Sequence, residues 1–138
     1  MDIAFFYEET DFRLDQPISI QNWIAKIINL EGYTLESLNY IFCNDAYLHK
    51  MNLDYLDHDT YTDIITFDNS EQETTIESDI FISIDRVKEN AQLQQVAFND
   101  ELSRVLVHGL LHLMGWDDKT EALKKEMRIK EDACLSLR

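Results

Sequence analysis

A chain of 138 residues that is 45% hydrophobic and 11% aromatic is globular rather than disordered, and it is expected to form one domain over 1–138. Its formal charge of −15 excludes general affinity for nucleic-acid backbones, so any phosphate contact must be built locally. The acidic start, Met1-Asp2-Ile3-Ala4-Phe5-Phe6-Tyr7-Glu8-Glu9, is unlike a signal peptide, and the longest apolar run, 105–116, is too short for a bilayer; a cytoplasmic protein with no membrane partner is expected.

Residues 3–7, apolar and aromatic throughout, read as a first strand. A helix follows over 19–30, with Ile20, Trp23, Ile24, Ile27 and Ile28 at helical spacing. Alternation of Leu38, Tyr40 and Phe42 predicts a strand over 35–43, and Asp45 can cap a short helix running to about Leu53. Two further β-rich runs lie at 64–67 and 79–83, with the polar segment 69–77 between them read as a loop. Helices are expected at 85–94, 99–114 and 120–137. This order predicts an α+β fold with α/β layers, in which a small mixed four-stranded sheet packs with five to six helices. Periodicity does not give the strand order. Cys43 and Cys134 stand far apart with no CxxC spacing and read as buried thiols.

Charge is distributed unevenly. Ten acids and no Lys or Arg occur from Met51 to Asp85, whereas Lys119, Lys124, Lys125, Arg128, Lys130 and Arg138 fall in the last twenty positions. Mixed with Glu121, Glu126 and Glu131, these bases read as the solvated face of a helix rather than as an RNA track.

The helix over 99–114 carries the chemistry. Asn99 is a suitable N-cap, with Asp100 and Glu101 at the positive end of the dipole. Leu102, Val105, Leu106, Leu110 and Leu113 form an apolar stripe, and Val107, Leu111 and Met114 extend it around the circumference, so the helix should be buried. His108 and His112 project side by side from it, one turn apart. Alone, such a pair equally fits two satisfied core histidines. Gly115 then permits a left-handed turn, and Asp117 and Asp118 follow. The spacing H-x-x-x-H-x-x-G-x-x-D supplies two nitrogens and a returning oxygen: His108, His112 and Asp118 as three ligands to one zinc ion, with a position left open for water. Gly109 stands where zinc peptidases carry the glutamate that serves as general base. In a buried helix it costs about 1 kcal/mol against alanine, which points to close approach by a strand, a water or a substrate.

The string His108-Gly109-Leu110-Leu111-His112-Leu113-Met114-Gly115-Trp116-Asp117-Asp118 resembles the signature of the YbeY family, H-G-x-L-H-L-x-G-Y/W-D-H, in ten of its eleven positions. Asn52, Tyr55, Asp59 and Thr62-Asp63-Ile64-Ile65-Thr66-Phe67 are similar to a second family motif. Asp79-Ile80-Phe81-Ile82 resembles a third, and Met127 with Glu131 fits the family's last helix. The resemblance implies a zinc-dependent, single-strand-specific endoribonuclease of 16S rRNA 3′-end maturation and ribosome quality control, in which an activated water attacks the phosphodiester. Its implied partners are ribosomal RNA and ribosome-associated proteins, not DNA. The chain departs from the family at three places: Asp118 stands for a third histidine, Leu56 for an arginine suited to a phosphodiester, and Ser78 for a glycine.

No residue type or spacing names the general base. Asp117, Asp63 and His58 are candidates; Asp117 could equally orient a ligand histidine, and His58 could replace the arginine or be a solvated loop residue. Two other functions fit parts of the pattern. A metzincin-like zinc metalloprotease matches the ligand layout but not Gly109. A non-catalytic ribosome-associated zinc protein suits Leu56 and the acid excess, but not an open coordination position.

Overall fold

The computed structural model describes residues 2–58 and 60–138; Met1 and Asp59, the latter a member of the second motif, lie outside them. The described residues form β1 (Ile3–Glu8), α1 (Pro17–Leu30), β2 (Thr34–Cys43), α2 (Asp45–Leu56), β3 (Ile64–Asp68), β4 (Thr75–Ser83), α3 (Ile84–Gln94), α4 (Phe98–Leu113) and α5 (Glu121–Leu135). The four strands make one mixed sheet in the order β1-β2-β4-β3, with β1, β2 and β4 parallel and β3 antiparallel to β4. This is the α+β arrangement expected, with five helices.

Alternation along the strands divides the two faces. Ile3 on β1, Leu38, Tyr40 and Phe42 on β2, and Ile76, Ile80 and Ile82 on β4 are buried in a core shared with α1, α3, α4 and α5. The opposite face is covered around Cys43, Leu48 and Ile65, where Tyr47, Met51, Phe67 and Phe81 pack. Both cysteines are buried free thiols.

Among the boundaries that differ from the sequence expectation, three have a visible physical cause. The cap of α2 is Asn44, whose side chain accepts from the Tyr47 amide at 2.8 Å, so Asp45 is the first helical residue instead. Helix α4 starts at Phe98 with Ala97 at its N-cap, and Asn99 makes no cap. Phe98 packs edge-on against Phe12 at 5.8 Å, and the Asp100 and Glu101 amides both bond the Ala97 carbonyl at 3.1 Å. Packing of the partly buried phenyl ring thus moves the cap back by two residues. Strand β4 begins at Thr75, inside the segment read as a loop, because Thr75 and Ile76 pair with Thr34 and Leu35 at the start of β2.

Helix α4 lies across the sheet with Leu102, Val105, Leu106, Val107, Leu110 and Leu111 buried. Each such side chain contributes about 1.5–3 kcal/mol. Polar contacts fix its position along the sheet: the buried Tyr40 hydroxyl donates to the Leu106 carbonyl at 3.0 Å, and the Tyr33 hydroxyl donates to the Met114 carbonyl at 3.0 Å. Gly109 is the point of closest approach. A Cβ there would stand 2.7 Å from Ile64 Cδ1 and 3.3 Å from two carbons of Ile80. Of the three explanations open in the sequence, the sheet is the one observed. No helix among the described residues is long and apolar enough to cross a membrane.

Gly109→Glu should therefore lower unfolding stability by at least about 3 kcal/mol, since it overpacks the helix–sheet contact and buries an unpaired carboxylate. Denaturant titration of the metal-free protein measures this, and a loss under about 1 kcal/mol would show that the helix can lift from the sheet.

Candidate metal centre

Helix α4 presents His108 and His112 on one face, with their rings 4.6 Å apart and nearly perpendicular. The helix then stops. Gly115 adopts φ +91°, its amide bonds the His112 carbonyl at 3.1 Å, and the Trp116 amide reaches back to Leu111 at 3.0 Å. This is the glycine-terminated helix end expected from the sequence. Beyond it, Asp117 Oδ1 accepts from the Asp118 amide at 2.6 Å and the Lys119 amide at 3.0 Å. That side-chain turn folds the chain so that Asp118 returns to the histidines.

Three ligand-type atoms converge as a result. His108 Nε2 and His112 Nε2 are 3.0 Å apart, and Asp118 Oδ2 lies 3.4 Å and 3.6 Å from them. A tetrahedral zinc with bonds of about 2.0–2.1 Å needs donor separations of roughly 3.3–3.4 Å. The donor set also fits a cation on its own chemistry. A proton on His112 Nε2 can bridge only one facing acceptor, whereas a metal ion engages all three. The group could hold a metal.

Behind His108 lies a support that residue spacing did not reveal. Glu131, from α5, is buried; its Oε2 accepts from His108 Nδ1 at 2.6 Å, which turns Nε2 toward the other donors. Its Oε1 accepts from Arg104 at 2.8 Å, and Arg104 also bonds Asp132 at 2.6 Å. Burial pushes the Glu131 carboxyl up, but His108 and Arg104 outweigh it and hold the group below the ordinary range. Burial disfavours the His108 imidazolium, but the hydrogen bond and charge of Glu131, with Asp118 and Asp63, raise its pKa overall. Glu131 thus has the orienting role that the sequence offered to Asp117, because the Asp117 carboxylate is engaged by its own turn.

The other candidates separate. Asp63 lines the cleft of about 290 Å³ that opens onto His108 and Asp118. Its position is built by the second motif. Buried Asn52 donates to the Thr60 carbonyl at 2.9 Å, and the Asp63 carbonyl accepts from the Ser83 amide at 2.9 Å. Burial raises the Asp63 pKa, against its backbone hydrogen bond and the His108 charge. His58 is elsewhere, with Leu56 on a groove beside β3 that none of the three ligand-type residues lines. Ser78 is buried in β4, and its hydroxyl has no hydrogen-bond partner among the described residues.

Comparison with known proteins shows a family. A family model described as Endoribonuclease YbeY matches residues 6–137. A Cytophaga hutchinsonii protein of that name is 61% identical over 136 residues, covering 99% of this chain and 95% of its own. One from Christiangramia forsetii is 48% identical over 132 residues, covering 96% and 92%. The solution structure of TM1509 from Thermotoga maritima aligns with a TM-score of 0.71 at 26% identity, covering 98% of this chain and 87% of that one.

Two measurements test the site's support. Glu131→Gln removes the charge that holds His108 and should weaken metal affinity about 10–100-fold in chelator competition; unchanged affinity would contradict the orienting role. Asp63 has a folded-state pKa above its unfolded value, so its ionisation opposes folding: the cost is absent below the unfolded pKa and develops as pH rises through the folded one. Asp63→Asn should accordingly raise the melting temperature of metal-free protein at pH 7 and leave it unchanged at pH 3. A lower melting temperature at pH 7 would refute this.

Proposed function

The chain belongs to the endoribonuclease YbeY family, and we propose that His108, His112 and Asp118 hold one zinc ion with which it cuts single-stranded RNA. The reading extends to 16S rRNA 3′-end maturation and ribosome quality control, carried out in the cytoplasm with ribosome-associated proteins by a single domain spanning 1–138. The observation that carries it is the convergence of two imidazole nitrogens and a carboxylate oxygen within 3.0–3.6 Å at the rim of a cleft.

A bound zinc supplies Lewis acidity, polarising a phosphate oxygen and activating water for hydrolysis. The chain's own residues do the rest. Glu131, itself held by Arg104, engages His108 Nδ1 so that Nε2 faces the site, and the Asp117 turn aims Asp118 Oδ2 at the same point. Asp63 lies in the cleft with a raised pKa, suited to exchange a proton with substrate or water at its carboxylate. Gly109 speaks against a peptidase: a glutamate general base would be directed into Ile64 and Ile80 rather than into the cleft. The cleft itself speaks against a purely structural zinc, whose ligands close around the ion.

His108→Ala and His112→Ala should each abolish most zinc binding, and Asp118→Ala should do so too, whereas Asp117→Ala should retain more, measured by elemental analysis. Zinc-loaded wild type should cleave unstructured RNA and spare paired RNA, with cleavage lost on chelation. The reading fails if zinc-loaded protein leaves single-stranded RNA intact but hydrolyses peptides, or if all four variants keep full zinc.

A further inference from the structure

Resting on that endoribonuclease reading, we infer that Lys124 and Arg128, one turn apart on α5, are the phosphate-contacting residues that bind the RNA strand beside the metal centre. A chain of net charge −15 needs local cations to hold a polyanion, and none occurs between Met51 and Asp85. Three cations line the cleft that contains His108 and Asp118: Arg104, Lys124 and Arg128. Arg104 is committed, its guanidinium bonded to Glu131 at 2.8 Å and Asp132 at 2.6 Å. Lys124 has only a 3.4 Å contact with exposed Glu121. Arg128 makes no hydrogen bond or ion pair among the described residues, although burial-perturbed Glu101 feels its charge.

Most other bases near the C-terminus are engaged or off the cleft. Lys130 pairs with Glu31 and lies over the Trp116 ring, Arg138 pairs with Asp100, and Lys119 and Lys125 are exposed but line no part of the cleft. All these bases lie on the solvated side of the helix, and Lys124 and Arg128 are the two that also line the cleft without a strong partner. Arg128 also borders an adjoining groove with Gln94, Asp100, Leu135 and Arg138, so it stands where the cleft continues along the protein. A strand crossing that junction meets Arg128 and Lys124 on one side and the metal ligands on the other. Arginine adds a planar fork that can engage a phosphate through two N–H groups.

The test measures binding of a short single-stranded phosphorothioate RNA oligomer, which keeps its backbone charge and resists hydrolysis, to zinc-loaded full-length protein across a salt series. Each phosphate contact removed should flatten the slope of log affinity against log salt by about 0.7, so Lys124→Gln/Arg128→Gln should lose about 1.4. Zinc content and melting temperature should match wild type, because both side chains lie outside the core. Arg128→Lys should largely restore the slope, and Lys125→Gln should leave it unchanged. A double variant with the wild-type slope, in a protein whose wild type binds and cuts RNA, overturns this inference alone. A wild type that neither binds nor cuts RNA overturns the endoribonuclease reading, and this inference with it.

Discussion

Two imidazole nitrogens and a carboxylate oxygen that face one another at 3.0–3.6 Å are held against their mutual repulsion unless something positive stands between them. Much of the molecule serves to hold them there. The helix that carries the histidines is buried over most of its circumference, is bonded to the sheet through Tyr40, and is held just past its C-terminal end by Tyr33, which precedes β2. Gly109 lets it settle onto Ile64 and Ile80, and Gly115 ends it in a left-handed turn. Asp117 then spends its carboxylate on backbone amides so that Asp118 can spend its own on the site. A metal centre placed this way is rigid because its scaffold is core, not loop.

Electrostatics explains the second tier. Glu131 is buried, and its charge is balanced by Arg104 on one oxygen and His108 on the other. An ion pair of this kind adds little net stability, yet losing one partner strands the other, so it acts chiefly to fix geometry. With a metal ion bound as proposed, Asp118 would make the site one unit less positive than a third imidazole. With Asp63 and Glu101 also at the cleft, the metal alone is a modest attractant for RNA. The cations of α5 bear on that balance: Lys124 and Arg128 place positive charge at the cleft beside His108 and Asp118.

The convergence of His108, His112 and Asp118 was legible in the sequence because its information is local, carried by one helical turn, one glycine and a three-residue return. Strand existence was equally legible from alternation; strand order was not, since pairing of β2 with β4 depends on contacts some forty residues apart. Polar Thr75 and Glu77 hid the start of β4, where backbone pairing outweighs side-chain composition. Glu131 could be matched to a family position, but its bond to His108 spans 23 residues and no periodicity points to it. The placement of Lys124 and Arg128 on one cleft was hidden for a related reason: helical spacing tells which residues share a face, not what that face looks upon.

The central claim is that His108, His112 and Asp118 are the ligands of a zinc ion. Zinc K-edge X-ray absorption on the stoichiometrically loaded protein tests it most directly. The account predicts a nearest shell of nitrogen and oxygen at about 2.0–2.1 Å, with the outer scattering of two imidazoles and no sulfur. A sulfur shell at about 2.3 Å would place the metal at Cys43 or Cys134 and contradict the account, as would scattering from fewer than two imidazoles.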